Sequence, residues 1–468
     1  MGEPTGEERR VVGFLPNDSP PLGRLVLFGL QHVVTMFPAT VLVALLCGFH
    51  VDTVLFGAGV STIVALALSR RRIGTFIPLF YGSSFSYIAA YLGVAQAAGL
   101  KPQFGVPLPD ELLSVMQTGI VATGLLNIGA GLLIQRLGKG ALDRLLPPIV
   151  TGSIACVIGF GLAKAALEMS ITIVPGSWWI ALVTLAVTIG ASVFLQGRGL
   201  LGMIPILFGT AAGYLLTLVA APERLDFSQL AAAPWVAIPH LTLPALGGEL
   251  LVTAIFSVSI MAIATIPEST AHLYQMSLYV DRLADELGRP RVELDRFVGF
   301  NLVCDGVGDA LHGLVGATAG TNYGENNSLM AITRNYSGPA LVVAGAICIL
   351  LSFVGKLSAA LATIPVFVSG GLALYLFGVI GMQGIALMQA HAVDLFDPRQ
   401  LALGAVILTV GIGGNIGFDG GFLPIPVPGL FPQGLPAIAT AALLGITLNL
   451  LFTLLRPSPP VGAEAALP

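Results

Sequence analysis

The sequence predicts an all-α polytopic membrane protein with fourteen transmembrane segments in a 7+7 inverted repeat. Three features indicate this fold class: very few charged residues, fourteen separate apolar runs, and a one-sided distribution of basic residues. Of the 468 residues, 55% are hydrophobic and 10% are charged, and the mean hydropathy is +0.89. Soluble domains carry about 25% charged residues, whereas a lipid-facing helix needs none. We therefore expect the chain to lie in a lipid bilayer.

The apolar runs define the predicted helices. At roughly 20 apolar residues per span plus a connection, this length holds about 12–15 spans. Helices one to seven are predicted at 23–47, 51–69, 83–98, 112–135, 147–167, 178–196 and 200–220. Helices eight to fourteen are predicted at 247–273, 297–312, 325–335, 339–355, 362–388, 400–414 and 434–455.

The third and tenth runs are too short to span a bilayer as plain helices. They start at Gly82 and Gly324, after β-prone, turn-rich stretches at 74–81 and 316–323. Each is third in its set of seven, and short interrupted segments at matching positions in two halves indicate an inverted-repeat transporter. The alternative is two ordinary helices with poor starts. We predict short antiparallel strands before half-helices three and ten.

The basic residues agree with this topology, because cytoplasmic loops are enriched in Lys and Arg. With the N-terminus in the cytoplasm and alternating sides, the predicted cytoplasmic segments carry seventeen basic residues. The opposite side carries only Lys101, Arg224 and Lys356, and Lys164 lies within a span. Both termini, with tails 1–21 and 457–468, are therefore predicted to be cytoplasmic.

Composition also excludes several function classes. The net charge of −4 gives no reason to expect a nucleic-acid partner. The four cysteines lie apart inside apolar runs, without metal-ligand or disulfide spacing. Neither a nucleophile–base set nor a metal cluster stands out, so we expect no enzyme, no metal and no cofactor.

Ionisable residues within a span are functional candidates, because burying them in hydrocarbon is costly. Glu268 and His272 in the eighth run are spaced i, i+4 and share one helix face. A carboxylate hydrogen-bonded to an imidazole would form a proton-accepting pair. The alternative is a buried pair that bridges helices without a role in transport.

Glu325 lies at the predicted start of the short tenth helix. A half-helix N-terminus offers free N–H groups and a positive dipole end, which suit a carboxylate or a ligand carbonyl. Glu325 is equally explained as a helix-start residue matched to the dipole. A pyrimidine-dione edge would fit two carboxyl groups, and Phe85 or Tyr323 could stack on its ring. A Na⁺ ion or an amino acid could use the same groups.

Four motifs occur in order along the chain. They are Gln31-His32, Tyr81-Gly82-Ser83-Ser84-Phe85, Pro267-Glu268 through His272, and Gly324-Glu325-Asn326-Asn327-Ser328 through Arg334. Together they resemble the nucleobase–ascorbate transporter family, and its bacterial uracil permease branch in particular. The resemblance implies a multi-pass protein of the bacterial cytoplasmic membrane that imports a nucleobase, most simply uracil. It also implies H⁺ as the coupling ion, with Na⁺ left open.

The resemblance further implies two domains and an elevator-like movement of one against the other. The core domain would comprise 22–145 (helices one to four) and 223–357 (helices eight to eleven). The gate domain would comprise 146–222 (helices five to seven) and 358–456 (helices twelve to fourteen), and would form a homodimer.

By the same resemblance, Glu268 and Glu325 bind the base through side chains, and Phe85 and Gly324 through the main chain. His272 couples protonation to Glu268. Further residues implied near the pocket or in support of it are Tyr323, Tyr375, Gln31, His32, Ser84, Asp305 and Asn326.

Two departures keep alternatives open. Ser328 replaces the family's usual Gly, and Asp305 lies where purine-transporting members tend to carry Asp. Glu325, where purine transporters usually have Gln, favours uracil over xanthine or urate. An anion transporter of the same architecture is a third possibility, although two carboxyl groups would repel an anion.

Overall fold

The computed structural model describes residues 13–100, 102–138, 140, 144–174, 176–195, 205–428 and 434–455. The predicted tail 457–468, most of tail 1–21, and the junction between predicted helices six and seven lie outside these ranges. The described end of the N-terminal tail packs against the protein, because Phe14 N donates to Arg334 O at 2.9 Å and Tyr336 N donates to Phe14 O at 2.8 Å.

The described chain is mostly helical. In its first half the α-helices of at least eight residues are α1 (Leu22–Cys47), α2 (Val51–Ile73), α3 (Ile88–Ala97), α4 (Asp110–Leu137), α5 (Pro148–Gly161), α6 (Trp178–Phe194) and α7 (Pro205–Ala220). In its second half they are α8 (Leu251–Ser259), α9 (Ala262–Glu286), α10 (Val298–Val315), α11 (Gly324–Thr333), α12 (Gly338–Ser352), α13 (Gly355–Ala362), α14 (Val366–Ala390), α15 (Pro398–Leu408) and α16 (Ala437–Leu454).

Helix length and apolarity support a polytopic membrane fold. In the described ranges, eight helical segments are long and apolar enough to cross a membrane. The pair α12 and α13, bent by 82°, brings the number to nine if it counts as one span. All fourteen predicted runs overlap a helix, but several of these helices are short or broken. The coarser prediction of a many-span helical protein is therefore confirmed.

Helix ends in the structure carry ordinary termination signals. Gly48 (φ 71°) ends α1 and Gly74 (φ 77°) ends α2, both in the left-handed conformation that glycine adopts without strain. The Ser337 side chain accepts from Ala340 N and starts α12. These caps explain why tight connections separate the long apolar runs.

Two short buried strands pair with each other. β1 (Tyr81–Ser83) pairs antiparallel with β2 (Gly320–Asn322), and Gly82 lies opposite Thr321. The predicted strands before half-helices three and ten are thus confirmed. The predicted start of half-helix three at Gly82 is wrong, because Gly82 belongs to the strand. The chain turns helical at Phe85–Tyr87, where the Ser84 side chain accepts from Ser86 N.

A second strand pair escaped prediction from sequence. β3 (Phe422–Leu423) pairs antiparallel with β4 (Leu435–Pro436) in the connection between α15 and α16. These two-residue strands are too short to produce a recognisable alternation of apolar and polar residues.

Helices from the two halves pack closely through small residues. A Cβ on Gly124 of α4 would lie 2.5 Å from Gly306 O of α10, and one on Gly159 of α5 would lie 2.2 Å from Gly381 N of α14. Without side chains at these positions the backbones approach each other directly, as in many membrane proteins. The α4–α10 and α5–α14 contacts each join the first half of the chain to the second.

Candidate functional site

A cavity of about 380 Å³ lies among the half-helices that follow β1 and β2 and the helices α5, α9 and α14. The half-helices and α9 form one side of it, and α5 and α14 form the other. Its lining includes Phe85, Glu268, His272, Tyr323, Gly324 and Glu325. The cavity continues along α9 to Tyr279 and along α14 to His391. Residues distant in sequence therefore meet at one polar site within an apolar fold.

The N-terminus of α11 forms part of this wall. Gly324 is its first residue and Glu325 its second, and the preceding Tyr323 is extended (φ −94°, ψ 122°). Tyr323 makes no side-chain cap, so the helix start has no side-chain acceptor of its own. Such an end presents N–H groups and a positive dipole end, which favour a ligand carbonyl or a carboxylate.

His272 lies directly against this helix start. Its Nε2 atom would be 2.9 Å from a Cβ on Gly324, so the imidazole occupies the space that any side chain there would need. Its Nδ1 atom lies 2.8 Å from the main-chain oxygen of Asn322 in β2. If the proton is on Nδ1, the ring donates to β2 and leaves the Nε2 lone pair beside Gly324.

The structure corrects the expected hydrogen bond between Glu268 and His272. Within the described ranges these two side chains form no hydrogen bond with each other. His272 bonds Asn322, and the Ser86 hydroxyl donates to Glu268 Oε2 at 3.5 Å. The i, i+4 spacing does place both residues at the same cavity, but the broken helix and β2 supply nearer partners.

Phe85 supplies an aromatic surface at the cavity. It begins the helical turn before α3, and its ring packs edge-on against Phe377 of α14, with centroids 5.3 Å apart and an interplanar angle of 80°. Phe85 therefore lies where the broken helix meets α14.

Tyr323 is held by partners in the protein, which disfavours the expected stacking on a ligand. Its hydroxyl donates to Ser83 O at 2.9 Å and lies 2.8 Å from Thr40 Oγ1 of α1. A Cβ on Gly82 would lie 2.7 Å from the tyrosine ring. The side chain joins α1 to β1, while its residue also borders the cavity.

Tyr375 does not lie where the resemblance implied. It is not one of the described residues that line the cavity, and its hydroxyl hydrogen-bonds Ser192 of α6. Ile380 and Gln383 are the lining residues on this stretch of α14. Tyr375 lies on a different part of the helix surface, directed at α6.

A buried polar network supports the site from behind. The Ser269 hydroxyl donates to Asp305, and it accepts from Asn301 Nδ2 and Asn322 Nδ2 at 2.8 Å each. Asn322 Nδ2 also lies 3.4 Å from Asp305 Oδ1. Asp305 therefore stabilises the contact between α9, α10 and β2, and among the described residues it does not line the cavity.

The remaining predicted residues support the fold around α11. Asn326 Nδ2 lies 3.1 Å from both His32 Nδ1 and His32 O, which joins α11 to α1. Gln31 Oε1 and Asn326 Oδ1 are buried without a hydrogen-bond partner in the described ranges. Ser84 starts the helical turn at Phe85, as described above. Partners in the protein therefore hold His32 and Ser84, whereas Gln31 Oε1 and Asn326 Oδ1 lack such a partner in the described ranges.

The lining residues that sequence reasoning missed include Gln275 of α9, Thr321 of β2 and Gln383 of α14. Gln275 lies three residues after His272, so helical spacing alone could have found it. Thr321 Oγ1 is buried and has no hydrogen-bond partner among the described residues. No sequence signal indicated Thr321 or Gln383, because both reach the cavity through tertiary packing.

Comparison with known proteins identifies the family. Residues 23–420 match the Permease family, which is the nucleobase–ascorbate transporter family. This chain belongs to that family. It is therefore a multi-pass membrane transport protein and not an enzyme.

Relatives named uracil permease match almost the whole chain. The uracil permease of Bacillus caldolyticus is 33% identical over 96% of this chain and 95% of its own length. The uracil permease of Escherichia coli (strain K12) is 34% identical over 96% of each chain.

Solved structures show that the fold is shared more widely. The transmembrane domain of the cyanobacterial bicarbonate transporter BicA has a TM-score of 0.59 at 14% identity, over 86% of this chain and 98% of that one. The murine anion transporter Slc26a9, in its inward-facing state, has a TM-score of 0.64 at 13% identity, over 94% of this chain and 69% of that one. At this identity the likeness concerns the fold alone.

Proposed function

We propose that this chain is a proton-coupled symporter that imports uracil across a bacterial cytoplasmic membrane. The observation that carries the proposal is the meeting of Glu268 and Glu325 with the N-terminus of α11 in one cavity. Relatives named uracil permease, similar over nearly their whole length, support the choice of base.

The lining chemistry matches a pyrimidine-dione. Uracil presents alternating N–H and C=O groups, and carboxylate oxygens accept from the N–H groups. The N–H groups at the start of α11 donate to a ring carbonyl. Phe85 provides an aromatic contact for the ring. Buried polar contacts of this kind discriminate strongly against analogues that leave them unpaired.

Proton coupling follows from the charge of the site. Two ionised carboxylates in one low-dielectric cavity repel each other, and a neutral base does not relieve that repulsion. A proton bound at Glu268 removes it and adds an O–H donor for a substrate carbonyl. His272 would act by positioning, because it holds β2 against α11 beside the carboxyl groups.

An elevator-like movement is consistent with the cavity's location. Its walls come from both predicted domains: α9 and α11 belong to the core, and α5 and α14 to the gate. The overlap of all fourteen predicted runs with helices supports fourteen spans in a 7+7 repeat. Movement of core against gate would then expose the site alternately, with the gate domains forming the homodimer.

The geometry of the cavity supports the alternative substrates, xanthine and anions, less well than it supports uracil. The argument for xanthine rested on Asp305, whose carboxylate is held by Ser269 and Asn322. The fold is shared with bicarbonate and anion transporters, but two cavity carboxyl groups would repel an anion.

The test is uptake of labelled uracil, xanthine, urate and ascorbate into proteoliposomes under separate H⁺ and Na⁺ gradients. We expect an inward H⁺ gradient to drive uracil uptake. Glu268→Gln and Glu325→Gln should each lower uptake at least tenfold, because each removes a carboxylate from the cavity. Glu168→Gln, at an exposed position outside it, should leave uptake unchanged.

Each part of the proposal has its own contradicting result. Normal uracil uptake by both cavity variants would refute the site. Equal uptake of xanthine would refute uracil specificity. Uptake that follows a Na⁺ gradient and ignores the H⁺ gradient would refute proton coupling.

A further inference from the structure

Three side chains with metal-ligating atoms meet at one end of the helix bundle. His50 lies in the turn between α1 and α2, Asp110 is the first residue of α4, and His240 lies in the connection between α7 and α8. None of these described residues lines the cavity. They lie at the start of α2, whereas Arg70, Arg71 and Arg72 mark its other end, so the cluster is on the face opposite the predicted cytoplasm.

The ligand atoms are close enough to share one ion. The three candidate atoms all lie within 4.8 Å of one another. His240 Nε2 is 3.0 Å from both Asp110 oxygens, and His50 Nε2 is 4.0 Å from Asp110 Oδ1. Ligands of a tetrahedral ion with bonds of about 2.0–2.1 Å are about 3.3 Å apart. Small side-chain rotations would therefore bring the three atoms into a first coordination shell.

The protein fixes the main chain that carries His240. Its amide N donates to Asp52 Oδ2 at 3.3 Å, and its carbonyl accepts from Thr53 Oγ1 at 2.6 Å. Both partners belong to the first turn of α2, next to His50. These two bonds fix the backbone of His240 beside His50 and leave both ring nitrogens of His240 free of these contacts.

Charge at the cluster favours a cation. The His50 and His240 rings stack with centroids 4.0 Å apart and 25° between planes, so two protonated rings would repel each other. Neutral imidazole is the form that binds metal, and Asp110 adds a negative ligand.

We infer that His50, Asp110 and His240 bind a divalent transition-metal ion of the Zn²⁺ class. Two imidazoles and one carboxylate suit such an ion, whereas Mg²⁺ and Ca²⁺ prefer oxygen ligands. Side chains from the α1–α2 turn, the first turn of α4 and the α7–α8 connection would then hold one ion, with a water in the remaining position. The bound ion would fasten the connection between α7 and α8 to the starts of α2 and α4.

The test is calorimetric titration of the purified full-length protein in detergent with ZnCl₂, and separately with MgCl₂. We expect one saturable Zn²⁺ site, no comparable Mg²⁺ site, and a Tm that rises with Zn²⁺ concentration because the ion binds the folded state. His240→Gln and Asp110→Asn should each weaken Zn²⁺ binding at least tenfold. His391→Gln, a histidine outside the cluster, and Glu223→Gln, an acidic residue of the same connection, should bind as the parent does.

Circular dichroism and gel filtration without metal establish that each variant is folded. If one ligand variant fails to fold, the other decides, because the two lie on different elements. Unchanged Zn²⁺ affinity in a folded ligand variant would overturn the inference. So would the absence of a saturable site in the parent protein, or equal binding of Mg²⁺. None of these readouts depends on uracil transport.

Discussion

At the residue scale, Gly324 shows how a single missing side chain shapes the site. Alanine there would place its Cβ 2.9 Å from His272 Nε2, and Asn322 holds that ring at its other nitrogen. We expect Gly324→Ala to displace the imidazole and the start of α11. Uracil affinity should fall at least tenfold, which is about 1.4 kcal/mol. Titration of the purified protein with uracil measures it.

The matched control is Gly129→Ala in α4, where nothing lies within 4 Å of the new Cβ. Its uracil affinity should equal the parent's, and its thermal stability should be equal or higher, because Ala favours helix over Gly. Parent-like affinity in Gly324→Ala would show that the close approach of His272 has no part in binding.

Residue identities were easier to predict than residue partners. Glu268, His272 and Glu325 stood out because a charge within an apolar run is costly. Their hydrogen-bond partners could not be predicted, because the partner of His272 is Asn322, which lies fifty residues away on a three-residue strand. Asp305 drew attention through the family resemblance, yet its partners Ser269 and Asn322 lie behind the cavity. Sequence alone does not distinguish a carboxyl group that faces a ligand from one that joins helices.

At the element scale, the pairing of β1 with β2 positions both half-helices. Tyr323 fastens this pair to α1 through Ser83 O and Thr40 Oγ1. Tyr323→Phe keeps the ring but leaves both buried partners without the hydroxyl, which costs about 1–3 kcal/mol. We expect a lower Tm, with uracil affinity reduced less than tenfold, because the hydroxyl is bonded within the protein. Thermal unfolding and uracil titration measure the two effects.

Tyr214→Phe is the corresponding control. It also removes one tyrosine hydroxyl, which bonds Thr363 Oγ1 at 2.7 Å away from the cavity, so only stability should change. A Tyr323→Phe protein with the parent's Tm would show that its hydroxyl does not hold the strands. Complete loss of uracil binding would instead make the hydroxyl a direct ligand.

Long helices could be predicted because lipid imposes a length on every apolar run. The positions of the half-helices could be predicted from the sequence, but their first and last residues could not. Half-helix three begins at Phe85, three residues after its predicted start, because Gly82 pairs with Thr321 across the fold. Residues 356–361 lay in a predicted connection, so neither α13 nor the 82° bend between α12 and α13 was predicted.

At the scale of the whole molecule, the fold places a polar cavity between two sets of helices. Anion transporters at 13–14% identity share this fold, so the architecture alone does not choose the substrate. We propose that this choice depends on Glu268 and Glu325, which line the cavity. The proposed mechanism requires that the cavity open to one side at a time. In the structure it extends along α9 past Gln275 to Tyr279, toward the end of α9 that carries Arg282.

The distribution of basic residues predicts that this end is cytoplasmic, so we expect the structure to represent an inward-open state. Gln383 lines the cavity, and the four native cysteines are buried, so a cysteine at 383 can be labelled selectively. In oriented membrane vesicles, we expect Gln383→Cys to react with a membrane-impermeant thiol reagent from the cytoplasmic side, and uracil to slow the reaction. Glu223→Cys, in the connection between α7 and α8, should react only from the opposite side.

The two cysteine positions should therefore be labelled from opposite sides of the membrane. Reaction of Gln383→Cys from the outer side alone would show that the structure represents an outward-open state. If Gln383→Cys is labelled from the cytoplasmic side and uracil does not slow the reaction, the cavity is not on the path of the substrate.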